Sequence, residues 1–261
     1  TCPDRTGIIA RVSGFISNLG GSINEANQYS DPVSGMFFMR YVIAGGSLPF
    51  GAAGLCEAFR PTADEYRMRW HVTDTARKNR VVLLVSKQEH CLTDLLYRWK
   101  SGDLAFDIPC VVSNHEDMRA LVEWHGIPYH CVSVPTDPEG KQQAFEATAG
   151  LIRAAEPDTI VLARYMQVLP SWLCREYEHR VINIHHSFLP SFVGAKPYHQ
   201  DYERGVKLTG ATCHYVTEEL DAGPIIDQDV VRISHHDSID AIVRLGKDVE
   251  RNVLARGLRY H

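Results

Sequence analysis

Two residues in the second half of the chain have the types and the spacing to stabilise charge on a carbonyl group. Asn183 and His185 stand two positions apart in the apolar stretch 181–192, so a strand would place both on one face of a sheet. An amide and an imidazole on one face can hydrogen-bond a carbonyl oxygen and stabilise the negative charge that a nucleophile's attack creates there. An Asn-x-His pair alone is a weak signal, because such pairs also arise by chance.

A second stretch, 210–224, could add a carboxylate to this pair. Its pattern predicts a strand that carries His214 and ends in a turn at Gly223-Pro224, which would hold Asp221 on a rigid loop. The ordinary interpretation of such an aspartate is an Asx-turn or a surface charge. Beside an imidazole, however, the carboxylate would stabilise the imidazolium and accept or relay a proton.

Metal binding is the other chemistry that the histidines suggest, and the sequence argues against it. His185-His186 and His235-His236 are doublets, and adjacent residues of a strand point to opposite faces, so a doublet rarely supplies two ligands. The seven cysteines are scattered and form no Cys-x-x-Cys motif. We therefore expect no metal site and no disulfide framework.

The elements that would position these residues alternate regularly after residue 80. Short apolar strands and amphipathic helices follow one another, which predicts a mostly parallel sheet covered by helices on both faces. The predicted strands are 81–85, 109–112, 129–134, 159–163 and 181–184, the helices are 91–99, 117–124 and 142–155, and two longer strands (209–217, 225–233) and a helix (238–260) follow.

The first part of the chain has a different pattern. It predicts a helix over 8–19 that starts near Asp4, strands over 22–29 and 36–43, a helix within 50–66 interrupted near Pro61, and a strand within 67–73. One further strand before Thr1 would complete a βαββαβ sandwich. The polar segment 74–79 is typical of a linker, so we predict an N-terminal domain over 1–73 and a second domain over 80–261.

The composition is that of a globular protein. Of the 261 residues, 44% are hydrophobic and 23% are charged, and the net charge is −5. A mildly acidic chain has no overall positive electrostatic field that would attract nucleic acid or anionic membranes. No apolar run in the sequence reaches the length of a membrane span. With cysteines in apolar runs, we expect an intracellular, cytoplasmic protein that binds neither nucleic acid nor membrane.

Taken together, the motifs resemble a known family. Asn183-Ile184-His185, Ser187, Leu189-Pro190 and 219–224 (Glu-Leu-Asp-Ala-Gly-Pro) resemble the formyltransferase domain of 10-formyltetrahydrofolate enzymes, over about residues 81–260. The N-terminal segments 2–8 and 20–23 resemble an ACT domain. An ACT domain before such a catalytic domain is similar to the deformylases, the hydrolases of that family. The expected fold is therefore an ACT-like βαββαβ sandwich followed by a Rossmann-type, mostly parallel α/β sheet.

The resemblance implies a reaction and a set of roles. The chain would hydrolyse 10-formyltetrahydrofolate to formate and tetrahydrofolate, supplying formate and balancing folate pools for purine synthesis, with folate as substrate and no cofactor. Asn183 and His185 would stabilise the oxyanion, and Asp221 would orient the water. The pterin would contact Met166, Gln167, Val168, Leu169, His214 and Thr217. For Leu169 a place in the first turn of a packed helix, and for His214 a supporting role, stay open as alternatives.

The ACT-like part implies regulation and assembly. Such domains pair edge to edge and hold a small amino acid, here near Gly7, Ile8 and Asn24. A homo-oligomer, either a dimer or a tetramer, is expected on the same ground.

Three other functions remain open on the sequence. A glycinamide ribonucleotide formyltransferase would need a phosphate-binding loop, but residues 86–91 contain no glycine and include Glu89. A methionyl-tRNA formyltransferase would need a basic C-terminal domain. The chain could also be an amino-acid-sensing binding module with an inert catalytic half.

Overall fold

A computed structural model describes residues 1–190 and 197–261 of the chain. Residues 191 and 192, the last two of the motif stretch 181–192, lie outside this description. The chain divides into two compact units, Thr1–Arg77 and Lys78–His261. The division falls within the segment 74–79 for which the sequence predicts a linker.

The first unit contains a three-stranded antiparallel sheet and two helices. Its elements are β1 (Cys2–Pro3), α1 (Ile8–Asn18), β2 (Ile23–Asp31), β3 (Met36–Ile43) and α2 (Ala52–Glu65), with strand order β1-β3-β2. The apolar stripe of α1, made by Ile8, Val12 and Ile16, packs with Phe37 of β3 in the core of this unit. The helix-strand-strand-helix order matches the prediction.

Four details of the first unit differ from the sequence predictions. The first strand lies at Cys2–Pro3, not before Thr1, and α2 continues through Pro61. Helix α1 has Gly7 at its N-cap, with a φ of 95° that favours glycine, so Asp4 does not start it. Segment 67–73 forms no strand: Arg69 and Thr1 exchange two main-chain hydrogen bonds of 2.8 Å, but the N–H groups of Arg67 and Met68 donate back to Asp64 and Ala63 of α2.

The second unit is built on an eight-stranded sheet. The strands β4, β6, β7, β8 and β9 run parallel, while β10 and β11 are antiparallel, in the order β11-β10-β9-β8-β4-β6-β7, and the short β5 pairs with β4. In chain order the elements are β4 (Asn79–Val85), α3 (His90–Ser101), β5 (Phe106–Asp107), β6 (Val111–Ser113), α4 (Arg119–Trp124), β7 (Tyr129–Cys131), α5 (Pro138–Ala155), β8 (Thr159–Leu162), α6 (Ser171–Glu176), β9 (Val181–His185), α7 (Pro197–Arg204), β10 (Leu208–Tyr215), β11 (Ile225–Arg232) and α8 (Ile239–Tyr260).

The predicted fold class is confirmed. Strands β4 and β8 are buried along nearly their whole length, because side chains from two core clusters cover opposite faces of the sheet. Strand β6 begins at Val111 and not at Pro109, since proline has no N–H to donate to a sheet. The prediction missed β5, α6 and α7, which are too short to show a hydrophobic period.

Two helices of the second unit start at capping residues. Asp137 accepts a hydrogen bond from the backbone N–H of Gly140, so α5 begins at Pro138, earlier than predicted. Ser238 caps α8 in the same way through Ala241. Among residues 1–190 and 197–261, no helix combines the length and the apolar character that crossing a membrane requires.

Candidate active site

Strands β9 and β10 bring the first two predicted site residues into contact with a third. Asn183 and His185 share one face of β9, and the antiparallel register places His214 of β10 directly opposite Asn183. Asn183 Nδ2 lies 3.2 Å from His214 Nε2. His185 and His214 are buried, and Asn183 is half-buried. The sheet therefore presents an amide and two imidazoles on one face.

The contacts of His214 determine whether its Nε2 can accept a hydrogen bond from the Asn183 amide. Its Nδ1 lies 2.9 Å from the backbone oxygen of Tyr215, and a carbonyl oxygen can only accept, so Nδ1 carries the proton. A charged ring would direct the Nε2 proton toward Asp221 Oδ1, 3.6 Å away, whereas in the neutral ring Nε2 accepts one N–H of the Asn183 amide at 3.2 Å. This bond fixes the orientation of the amide and leaves its second N–H for a ligand.

Asp221 completes the predicted trio from the loop between β10 and β11. Its Oδ2 lies 3.3 Å from His185 Nδ1, and its Oδ1 lies 3.6 Å from His214 Nε2. Burial alone would raise the pKa of this carboxyl, but the contact with His214 and the positive charge of His185 outweigh burial, so the pKa of Asp221 lies below its ordinary value. The carboxylate is ionised at neutral pH and faces His185.

The backbone around Asp221 is held in an unusual conformation. Its φ of 55° lies in the left-handed region, which aspartate tolerates better than most residues. Two residues later, a Cβ on Gly223 would stand 1.8 Å from the backbone oxygen of Tyr215, so the turn can approach β10 only with glycine there. The adjacent Pro224 accepts a 2.9 Å hydrogen bond from the N–H of Tyr215. This close approach positions Asp221 over the sheet.

The segment that follows His185 is tied to the neighbouring strands. The hydroxyl of Thr212 donates to the oxygen of Ser187 and accepts from the N–H of Leu189. Gln228 of β11 donates to both Leu189 and Thr212. The sequence analysis did not single out Thr212 or Gln228 for this role, because their partners are distant in sequence.

A cavity of about 250 Å³ opens above the trio. Its lining includes the trio, His214 and residues 164–169 and 216–221, so every side chain predicted to contact the pterin borders it. Met166 and Val168 are more than half exposed, at 54% and 58%, and can offer apolar surface to a flat ring. Leu169 also packs in the core with Leu173 of α6, although residue 169 itself precedes that helix.

Arg164 and His186 line the same cavity, and the sequence analysis assigned no role to either. His186 lies beside His185, with ring centroids 5.4 Å apart. Burial, together with the positive charge of Arg164, lowers the pKa of His186 to about 3, so this imidazole is neutral. His185 and His186 are adjacent at the end of one apolar strand, so no sequence pattern indicates which of them contacts Asp221 and which is the neutral imidazole beside Arg164.

His90, Cys91 and Glu250 form the one group with metal-ligand spacing among the described residues, with ligand atoms within 4.8 Å of one another. The Glu250 carboxylate is already bound by His90 at 2.8 Å and lies 3.4 Å from Arg164 Nε. Burial raises the pKa of the Cys91 thiol well above its usual range, so the thiol is protonated. The group therefore suits hydrogen bonding better than metal coordination.

The three predicted effector residues lie in the first unit. Gly7 caps α1, Ile8 is buried in the core, and Asn24 is exposed on β2. Because the Ile8 side chain is enclosed, any contact of this residue with an effector would use its backbone.

Comparisons with known proteins agree on one family. A family model described as formyl transferase matches residues 79–258, which lie within the second unit. The formyltetrahydrofolate deformylase of Synechocystis sp. is 42% identical over 261 residues, which cover 100% of this chain and 91% of that protein. A crystal structure of a formyltetrahydrofolate deformylase from Pseudomonas syringae pv. tomato is 62% identical with a TM-score of 0.97, covering 99% of this chain and 86% of that one. A phosphoribosylglycinamide formyltransferase from Anaplasma phagocytophilum is 31% identical with a TM-score of 0.63, over 70% of this chain and 86% of that one.

Proposed function

Because this chain belongs to the formyltetrahydrofolate deformylases within the formyl transferase family, we propose that its cavity binds 10-formyltetrahydrofolate and that the trio around it hydrolyses the formyl group. The enzyme is a hydrolase that acts on a formyl amide. The observation that carries the assignment of the trio is the convergence of Asn183, His185 and Asp221 at one end of a 250 Å³ cavity.

Asn183 and His185 would stabilise the developing oxyanion. When water attacks the formyl carbon, the carbonyl oxygen gains negative charge and needs donors that are already in place. The second N–H of the Asn183 amide is one donor, because His214 occupies the first. The imidazolium of His185, stabilised by Asp221 at 3.3 Å, is the other.

Asp221 would act on the water. An ionised carboxylate can orient a water molecule and accept one of its protons while the oxygen bonds to the formyl carbon. The tetrahedral intermediate then breaks its C–N10 bond, and N10 takes the proton that Asp221 holds. The products are formate and tetrahydrofolate, and the proton of the resulting acid is released to solvent.

The direct test is the release of formate from 10-formyltetrahydrofolate with water as the only acceptor. We expect turnover by the wild-type chain and a loss of about 10²–10³ in kcat for Asn183→Ala, His185→Ala or Asp221→Ala. The same variants should bind tetrahydrofolate nearly as tightly as the wild type by calorimetry. Near-normal hydrolysis by all three variants would contradict the assignment of the trio.

Transfer of the formyl group to glycinamide ribonucleotide is the second reaction to measure in that assay. The loop after β4 contains no glycine. The side chains of Ser86 in this loop and of His90 at the start of α3 are buried and bonded within the protein, to Asn114 and Glu250 respectively. This loop therefore offers no open cradle for a phosphate. We expect formate as the product whether or not the ribonucleotide is present.

For the first unit we propose an amino-acid effector site near Gly7 and Asn24 and assembly into a homo-oligomer. Strand β2 lies at the edge of its sheet and is exposed on both faces, so its backbone could pair with the same strand of a second copy. Titration with glycine and methionine, with calorimetry and activity as readouts, tests the effector. Light scattering on the full chain tests the oligomer, and a monomer at all concentrations would exclude it.

We further propose a cytoplasmic location. All seven cysteines, which lie among the described residues, are free thiols, as expected in a reducing compartment. Fractionation of cells that express the full-length protein would test this, and recovery from a secreted or membrane fraction would contradict it.

A further inference from the structure

A buried carboxylate in the middle of α8 has no part in the reaction described above. Glu250 is completely inaccessible to solvent. Side chains from three other parts of the chain converge on it: His90 of α3 at 2.8 Å, the hydroxyl of Tyr198 of α7, and Arg164 after β8 at 3.4 Å. Burial would raise the pKa of Glu250, but the hydrogen bond from His90 and the charge of Arg164 outweigh it, so the carboxyl is ionised.

Arg164 is the member of this group that reaches the folate cavity. It is the first residue of the loop 164–169, and its side chain is 11% exposed, at the cavity wall. The rest of the loop is held by neutral contacts: Tyr165 is buried in the core, and the N–H of Met166 donates to Ser86 Oγ at 3.0 Å. The pairing with Glu250 is thus the one charged attachment among these anchors of the loop.

The backbone of Arg164 adopts a conformation that needs support from the surrounding structure. Its φ of 64° is in the left-handed region, which a residue with a long side chain rarely adopts. Such conformations persist only where the surroundings hold them. Glu250 supplies the counter-charge of the guanidinium from the interior, at 3.4 Å from Arg164 Nε, and Met166 and Val168, which follow in the loop, line the cavity.

We propose that Glu250 is a positioning residue that, by holding Arg164, keeps the loop 164–169 in the conformation that receives the pterin. The inference rests on the proposed function, since it concerns how the same cavity binds its substrate. Without the pairing, the loop would populate other conformations, and apparent affinity falls in proportion to the fraction that is competent to bind. Affinity for folate should therefore depend on Glu250, although Glu250 does not touch folate.

The alternative is that the group only stabilises the fold, and a double variant separates the two roles. Glu250→Gln leaves the buried charge of Arg164 without a counter-charge, so both stability and folate binding should fall. Arg164→Met combined with Glu250→Gln removes both charges. The glutamine can still accept from Tyr198 and donate to His90, so stability should recover.

The decisive measurements are Tm, KM and kcat for 10-formyltetrahydrofolate, and the affinity for tetrahydrofolate by calorimetry. For Glu250→Gln, which keeps Arg164 at the cavity wall, and for the double variant alike we expect a KM about tenfold higher, with Tm lowered in the single variant and near the wild-type value in the double variant. The kcat of the double variant should stay close to wild type, because the trio is intact. A KM that returns to the wild-type value together with Tm would overturn the proposal.

A matched control is available on the same helix. Asp227 of β11 pairs with Arg256 of α8 at 2.7 Å, away from the cavity lining. Asp227→Asn should lower Tm and leave KM unchanged, and an equal rise in KM there would also count against the proposal. A wild-type chain that releases no formate would refute the proposed function itself, whereas normal hydrolysis with an unchanged KM in the double variant would refute only the role of Glu250.

Discussion

A single methyl group at Gly223 should displace Asp221 and remove most of the activity. A Cβ there would stand 1.8 Å from the backbone oxygen of Tyr215, and Cβ atoms essentially never approach another atom closer than 3.0 Å. The required shift is therefore at least 3.0 − 1.8 = 1.2 Å. Strand β10, which carries Tyr215, is paired on both sides, so the turn that contains Gly223 must move.

The consequence for the reaction follows from the position of Asp221, two residues away. Its carboxylate lies 3.3 Å from His185 Nδ1, so a displacement of this size breaks their contact. A misplacement of about 1 Å in a reacting group can cost about 10²-fold in rate. The free energy of unfolding should fall by about 1–3 kcal/mol, which is the usual cost of overpacking.

The assay for Gly223→Ala is formate release at saturating and limiting 10-formyltetrahydrofolate, with Tm measured on the same sample. We expect kcat/KM to fall about 10²-fold while the variant remains folded. Gly150→Ala is the matched control, because the added Cβ in α5 meets no atom within 4 Å, and its activity should be unchanged. A folded Gly223→Ala enzyme with wild-type kcat/KM would refute the argument that this turn positions Asp221.

Three further predictions test the site and the core. Asn183→Ala should lower kcat about 10²–10³-fold while tetrahydrofolate still binds in calorimetry, and a loss of binding instead would assign the amide to ground-state recognition. The pKa of Asp221 lies below its ordinary value of 3.8, so its ionisation stabilises the fold above that pH, and this contribution disappears as the pH falls through the lower folded-state value. The difference in Tm between wild type and Asp221→Asn should therefore shrink on acidification below about pH 4, and a constant difference would show that another group is responsible. Leu254 is fully buried in α8, so Leu254→Ala should lower the free energy of unfolding in urea by about 2–5 kcal/mol, while the folded fraction still hydrolyses the substrate. A smaller loss would mean that neighbouring side chains move in to fill the space that the leucine leaves.

The predictable part of the site rests on local geometry. A strand has a period of two, so Asn183 and His185 had to share a face once 181–185 was recognised as a strand. The turn residues Gly223 and Pro224 likewise indicated that Asp221 lies on a loop between strands. These inferences need only residues that are neighbours in sequence.

The role of His214 shows where such reasoning stops. Its place on a strand could be predicted, but the register that sets it opposite Asn183 is decided by how β10 pairs with β9. The hydrogen bond to Tyr215 then selects the tautomer that can accept from the amide. Neither the register nor the tautomer leaves a pattern in the sequence.

Helix α8 shows most clearly the difference between what the local sequence determines and what only the tertiary contacts decide. Its amphipathic period is a local property, so the sequence alone determined that Ile242, Val253 and Leu254 face the interior. Glu250 lies on the same buried face, and one of its partners, His90, is 160 residues away in sequence. A buried charge is tolerated only where donors surround it, and which donors those are depends on contacts across the whole unit. The pattern of the chain thus determined the elements and the pair on β9, whereas the tertiary structure alone decided which distant side chains meet, because burial and pairing arise only when those elements pack.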